Sequence, residues 1–344
     1  MQVVQQLDEE QWRDFVAKTP NGNVFHTPEM FQVLAQTQGY NPMLWATIDD
    51  AGEILALLIP VQITLMNGVL HRFTTRAVAY GSVLSAPGPK GEKALHKLLQ
   101  TYTQQSNGAV LFTELRNLSN LRQVQATLTQ CGFLYENHLN YLINLRRPQE
   151  AIWQGIKGRT RSYIRRGLRE GTLTIQAAKR PEQVAACYDL LCQTYQHAQL
   201  PLSDYSLFEG VFNLLCKNNM ARITLVYMEQ TPVAASVDLL YKGVIYYWYG
   251  GMDRAFGSHH PNELLRWHIL QWGMEHGYEL FDFGGAGKPD DVYSVRDFKA
   301  KFGGELVSLG RNIYVHRPHV LRLSTFAYHL SRRFLCTTPF RVKS

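Results

Sequence analysis

Apolar and polar positions recur along this chain in blocks short enough to be read one by one. Thr27-Pro28 opens a helix, with Thr27 as its cap and Pro28 at the first helical position; Phe31, Leu34 and Ala35 carry its apolar face to near Gly39. Met43–Ile48 and Ile54–Ile63 read as strands joined by the turn Asp49-Asp50-Ala51-Gly52. Strands are also expected around Val69–Phe73, at Val110–Leu115, and over Phe133–Leu145 with a bend near Asn137-His138. An extended piece is expected over Ala77–Leu84, and helices through Leu95, Leu98 and Leu99 and over Leu118–Cys131.

The second half repeats this alternation. Leu173–Ala177 reads as a strand, Pro181–Gln196 and Ser206–Asn218 as helices, and Ile223–Met228 with Val233–Tyr241 as a hairpin. Val244–Tyr249 is rich in residues suited to a pleated surface; a helix over Pro261–Gly277 and a strand Leu280–Phe283 follow. Hairpins, helices and single strands in both halves predict an α/β (α+β) chain of two domains, at 1–150 and 151–315, with a C-terminal segment 316–344.

Composition narrows the class. No apolar run approaches the roughly 18 residues a membrane span needs, and the N-terminus MQVVQQLDEEQWRDF has no signal-peptide core, so the chain is expected in the cytoplasm. Five scattered cysteines form no CxxC pair, which points to reduced thiols and to no metal site. The net charge of +7 is unevenly spread: residues 317–344 carry Arg317, Arg322, Arg332, Arg333, Arg341 and Lys343 and no carboxylate. There, Val320, Leu321, Leu323, Phe326, Leu330, Phe334 and Leu335 make an amphipathic basic helix, suited to lie on an anionic membrane face or to pack on its own domain.

Two stretches carry candidate chemistry. In Trp153–Gly171, Lys157, Arg161, Arg165 and Arg169 recur every four residues, while Trp153, Ile156, Tyr163, Ile164 and Leu168 are expected to face inward. Like charges at this spacing cost a helix about 0.2–0.5 kcal/mol per pair, tolerable where phosphates or distant carboxylates neutralise them. In Tyr278–Gly304, an apolar strand runs into Gly284, Gly285 and Gly287, whose amides are unobstructed, followed by Lys288. Arg296, Lys299 and Lys301 then flank Asp297 and Phe298. Exposed amides beside lysines suit a phosphate or a developing oxyanion; ordinary surface lysines on a strand–loop–helix are the plainer reading. Asp282 and Asp297 are candidate bases or orienting groups, or turn caps. No GxSxG elbow and no Cys/His pair points to a covalent acyl-enzyme.

FDFGGAGKPDDVYSVRDFKAKFGGELV resembles the C-terminal signature of the FemAB (FemABX) family, a branch of the GNAT acyltransferase superfamily, and WQGIKGRTRSYIRRGLREG is similar to the family's basic helix. A weaker likeness lies in Asn23–Met30, so the resemblance spans roughly residues 20 to 315. It implies two tandem GNAT-like domains, each a mixed, mainly antiparallel sheet flanked by helices. It also implies an aminoacyltransferase that uses aminoacyl-tRNA as donor and a nucleotide- or lipid-linked peptidoglycan precursor as acceptor, with no tightly bound cofactor. On that resemblance Lys299 and Phe298 occupy the catalytic Phe-Lys pair.

Three features bear on this reading. Arg254-Ala-Phe-Gly257-Ser-His259 stands where acetyl-CoA-dependent relatives carry (Q/R)xxGx(G/A), and His259 replaces the small residue, which disfavours acetyl-CoA. His259-His260 precedes the helix at Pro261, where a loop His pair could meet an anion. The helix 27–38 holds no Lys or Arg to take a sugar-nucleotide acceptor, leaving Arg72, Arg76 or Arg116 as substitutes. The alternatives are an acetyl-CoA-dependent N-acyltransferase acting on envelope polysaccharide, and a non-catalytic module that binds envelope precursors. No motif that reads DNA is present.

Overall fold

The structure, a computed structural model, describes residues 1–64 and 74–322. The strand expected at 69–73, with Arg72, and the 323–344 part of the C-terminal amphipathic segment, with Cys336, lie outside the described residues. Among the described residues, one compact unit draws on segments 1–11, 39–136 and 311–322 and the other on 12–38 and 137–310, so the units interleave along the chain instead of dividing it at 150. The physical cause lies at the Asn137-His138 bend. There the strand expected over 133–145 breaks into β9 (Leu134–Glu136) and β10 (Leu139–Asn144), which join different sheets.

The first unit holds two sheets. One has the order β1 (Gln2–Val4), β3 (Trp45–Ile48), β4 (Ile54–Leu58), β7 (Val83–Ser85); the other runs β2 (Tyr40–Pro42), β5 (Val61–Thr64), β6 (Thr75–Ala79), β8 (Phe112–Arg116), β17 (Arg311–Val315), β9. The apolar run 54–63 therefore serves both sheets, divided at Ile59-Pro60, because Pro60 has no N–H to continue a ladder. Helix α3 (Pro89–Gln105) buries Leu95, Leu98, Leu99 and Tyr102 with Trp45, Leu58, Leu115 and Phe133, and α4 (Arg122–Gln130) adds Leu128.

The second unit is one seven-stranded sheet, β11 (Leu173–Ala177), β12 (Ala221–Met228), β13 (Thr231–Tyr241), β14 (Val244–Met252), β15 (Leu280–Gly285), β10, β16 (Glu305–Ser308). Its pairs are antiparallel except β14–β15, which is parallel. Helix α9 (Pro261–Glu275) packs against the sheet, and α7 (Pro181–His197) packs against β13 and β14. The N-terminal helices α1 (Glu9–Lys18) and α2 (Pro28–Gln36) contribute their buried residues Trp12, Val16, Met30, Val33 and Leu34, and Thr27 Oγ1 caps α2 by accepting from Met30 N at 3.2 Å. The expected helix 206–218 is α8 (Tyr205–Gly210) continued as a π-helix, Val211–Cys216.

The basic helix differs from its expectation. Glycines 155 and 158 flank a break, so α5 (Gln149–Gly155) and α6 (Gly158–Glu170) are separate, and Lys157 is the N-cap of α6 rather than part of a four-residue stripe. The inward face of α6 is Thr160, Ile164 and Gly167, spaced four and three apart, while Leu168, expected inside, is 59% exposed. Gly167 allows close approach to Leu264 of α9.

The α5–α6 junction is clamped by the C-terminal signature. Lys157 N donates to Lys301 O at 2.8 Å, and a Cβ on Gly303 (φ +75°) would lie 2.6 Å from Gly155 O. Both contacts are backbone, so neither side yields cheaply. Gly303→Ala should cost about 2–3 kcal/mol, from the positive φ and the clash together, read as a lower denaturant midpoint in urea unfolding.

Candidate active site

The parallel pair in the second unit opens as it runs. Only Val244↔Leu280, Ile245↔Phe281 and Tyr246↔Asp282 are in register, although β14 continues to Met252 and β15 to Gly285. The cause is a bulge in β14: Tyr247 faces Asp238 and Tyr249 faces Val237, leaving Trp248 as the extra residue. A bulge bends and twists its strand, so β14 turns away from β15 beyond Tyr246. At the fork Gly284 (φ +69°) sits so close that an added Cβ would lie 3.3 Å from both Tyr247 O and Tyr246 Oη. Glycine is required there on both counts.

Behind this fork lies a buried lysine. Helix α10 (Ser294–Lys299) and a 3-10 turn at Ala300–Phe302 return the chain against β15, with Phe298 and Phe302 packed on the core around Phe283. That packing places Lys299, 4% exposed, so that Nζ donates to Phe283 O at 2.6 Å and Gly285 O at 2.7 Å. An ammonium has three protons, and two are spent here. Burial pulls its pKa down to about 8, against the field of Asp282 and with a smaller push from the Arg266 charge. Asp282, also buried, accepts from Gly284 N at 2.7 Å and from Asn140 Nδ2 at 3.1 Å. Burial lifts its pKa to about 6, opposed by those two donors and by Lys299.

Asp282, Gly284, Gly285 and Lys299 thus come together as one cluster, with Phe298 supporting it from the core. The other predicted residues have different partners. The Arg296 guanidinium is turned onto the loop itself, donating to Ala286 O at 2.8 Å, Pro289 O at 3.0 Å and Lys288 O, which fixes the shape of the glycine loop. Lys288 and Asp297 are exposed. Lys301 reaches Glu263 Oε1 at 3.5 Å and lies 5.2 Å from the Phe298 ring centroid. Arg161 donates to the Gln154 side chain, and Arg165 lies over the Trp153 ring at 5.3 Å. The segment Arg254–His259 is a 3-10 helix capped by Asp253, and His260, in the left-handed region, stacks on Tyr163 at 3.5 Å. Arg166 Nη2 donates to Ser258 O at 2.7 Å.

Sequence reasoning missed Asn140, and with it a second buried polar group of α9 and the sheet. Arg266, 1% exposed, lies 4.1 Å from the Tyr247 ring centroid and 3.5 Å from Asp238 Oδ1, while Ser236 Oγ donates to Asp238 Oδ2 at 2.7 Å. Burial raises the Asp238 pKa, opposed by Arg266 and Ser236. A lone arginine inside Leu264-Leu265-Arg266-Trp267, and a lone Asn inside Leu139-Asn140-Tyr141-Leu142, were the available signals.

A cavity of about 600 Å³ opens in the same unit between β10, α5 and the 3-10 turn, lined by Leu142, Ile152, Leu280, Phe302 and Gly304 with the Arg146–Glu279 ion pair on its rim. Lys299 is not among its lining residues. Among the described residues no group of three or more His, Cys, Asp or Glu is placed to hold a metal ion, and no helix is long and apolar enough to cross a membrane.

With this geometry, residues 156–299 match the acetyltransferase (GNAT) domain family. The chain is similar in structure to FemX (15% identity, TM-score 0.71, covering 94% of this chain and 99% of that one). It is also similar to L-PGS from Bacillus licheniformis (14%, 0.57, 94% and 98%). A third likeness is to a tandem GNAT protein from the clavulanic acid biosynthesis pathway (12%, 0.55, 92% and 98%). No curated protein sequence matches the chain. The acetyltransferase (GNAT) match thus covers the second unit's sheet and site, and the chain shares with these structures a fold of two GNAT-like domains. The likeness to FemX is one of fold, and it agrees with the resemblance carried by Tyr278–Gly304.

The buried pair has a pH signature. The folded Asp282 pKa, raised from 3.8 to about 6, makes its share of stability greatest below pH 3.8 and lost as pH rises through 6. Lys299, lowered from 10.5 to about 8, gives a share present above pH 10.5 and lost as pH falls through 8. Relative to Asp282→Asn, the wild type should therefore lose stability between pH 4 and pH 6, on the order of 1–3 kcal/mol, in urea titrations at fixed ionic strength.

Proposed function

We propose that this chain transfers an aminoacyl group from aminoacyl-tRNA to an amine of a nucleotide- or lipid-linked cell-envelope precursor. The observation that carries the reading is the Lys299 ammonium, anchored by the carbonyls of Phe283 and Gly285 with one N–H unspent, behind a fork at which Gly284 sits. The acceptor nitrogen bonds to the ester carbonyl carbon, and negative charge develops on the carbonyl oxygen. The ester C–O bond then breaks, and the proton lost by the amine ends on the departing ribose hydroxyl. The third N–H of Lys299 stabilises the oxyanion. Asp282, its oxygens held by Gly284 and Asn140, keeps the lysine charged and in place rather than taking a substrate proton.

Two features favour a tRNA donor over acetyl-CoA. The amides of Arg254–His259 are spent within a 3-10 helix and on Asp253, so this loop offers little cradle for a pyrophosphate. Helix α6 keeps Arg159, Arg165, Arg166 and Arg169 exposed, a surface for a polyanion whose binding would weaken steeply with salt. The acceptor places the protein at the cytoplasmic face of the inner membrane. An acetyl-CoA-dependent N-acyltransferase is the second reading, favoured by the match of residues 156–299 to the acetyltransferase (GNAT) domain.

Purified protein incubated with charged tRNAs and muramyl-pentapeptide acceptors should yield an acceptor heavier by one aminoacyl residue in mass spectrometry. Mass gain with acetyl-CoA alone, and none with any charged tRNA, would transfer the assignment to the second reading. Lys299→Met should lower kcat by about 10²–10³-fold while the variant stays folded by circular dichroism. In the wild type kcat/KM should rise through about pH 6 and fall above about pH 8, as the Asp282–Lys299 pair titrates; Lys299→Met should abolish the upper limb.

A further inference from the structure

The end of the seven-stranded sheet opposite the fork carries a second, separate feature. Where β12 begins and α9 ends, a cavity of about 330 Å³ opens, bounded by Ala177 and Ala178 on one side and by Trp272, His276 and Tyr278 on another. Arg222, the only arginine or lysine among its lining residues, lies 4.5 Å from the Trp272 ring centroid. Its Nε–H is buried without a hydrogen-bond partner among the described residues. Trp272 stacks in turn on His276 at 4.5 Å and leans on Tyr278 at 5.3 Å, so the wall is aromatic along its length.

The fold builds this place deliberately in local terms. The π-helix Val211–Cys216 accommodates one extra residue per turn, a local strain, and Asn219 closes it in the left-handed region (φ 56°). Together they bring Cys216 and Asn219 to the rim. Arg222 sits opposite Asp238 across the strand pair, but the Asp238 oxygens are taken by Ser236 Oγ and Arg266 Nη1. The guanidinium therefore keeps donors in hand and only a shared counter-charge. A buried donor left unmade is costly, and a planar fork with apolar and aromatic walls matches a planar monoanion with an apolar body. A phosphate dianion would want further cations, which these walls lack.

We propose that this cavity binds a small carboxylate carrying a flat or branched apolar body, its carboxylate on Arg222 and its body between Trp272 and the Ala177-Ala178 wall. The volume lies at the lower end of small-molecule sites, which limits the ligand to about one ring or one branched chain. The site is distinct from the transfer chemistry at Lys299 and does not depend on it.

The test titrates the full chain by calorimetry with benzoate, 3-phenylpropionate, isovalerate, benzamide and inorganic phosphate. One or more carboxylates should bind one to one with Kd below about 1 mM, and benzamide and phosphate should not saturate. Arg222→Gln should weaken binding at least about 10-fold by removing the fork. Ala178→Leu, which fills the cavity and leaves Arg222 intact, should weaken it comparably and decides the matter should Arg222→Gln fail to fold. No saturation by any carboxylate at about 10 mM, affinity unchanged in the folded variants, or phosphate binding as tight as the carboxylates would each overturn the proposal.

Discussion

Burying a lysine beneath a strand is the constraint on which the second unit turns. An ammonium taken out of water costs several kcal/mol unless its protons are met and a counter-charge lies near. Lys299 meets the first condition for two of its three protons, with the carbonyls of Phe283 and Gly285, and Asp282 supplies the second. Both carbonyls belong to the strand end, so the lysine also dictates the path of the chain there. Asp282 bends to receive Gly284 N, Gly284 takes a positive φ, and the glycine loop is pinned from the far side by Arg296. The two pKa shifts, down for Lys299 and up for Asp282, have burial as their common first cause and moderate each other's cost.

The same unit holds a second costly group, Arg266 with Asp238, Ser236 and Tyr247, beneath α9. Replacing such a group with well-packed apolar residues is often neutral or stabilising, so stability is a weak reason for it. Its position accounts for it better. Asp238 and Tyr247 face each other immediately before the Trp248 bulge, where β14 departs from β15. A charged anchor there holds the strand on one side of the fork, as Lys299 holds it on the other. The fork is thus fixed by two polar clusters within a sheet whose remaining core is Ile, Leu, Val and Phe.

Fold class was largely legible from periodicity and punctuation. The helix at Thr27-Pro28, the hairpin about Glu229, the strand 173–177 and the strand–loop–helix from Leu280 to Lys299 lie where spacing put them. The misreadings share a form. Ile54–Ile63 and Phe133–Leu145 were read as single strands, yet each divides between sheets, because one residue without an N–H, or one bend, redirects a chain without altering its hydrophobic pattern. Lys157–Arg169 looked like one stripe because spacing of four continues across a helix break as readily as along a helix.

The residue types of the site were present in the sequence: glycines where backbone must come close, a lysine after Phe298, an aspartate at the strand end. Which lysine is buried at the strand end was not decided by spacing, since Lys288, Lys299 and Lys301 stand within fourteen positions of one another and carry the same charge. Tertiary packing separated them, exposing Lys288, pairing Lys301 with Glu263 and burying Lys299 among carbonyls. Local sequence sets backbone freedom and side-chain chemistry. Burial depends on what the rest of the chain brings alongside, here Asn140 from 142 positions away and Arg266 from another helix, and it is burial that turns an ordinary lysine and aspartate into a coupled pair.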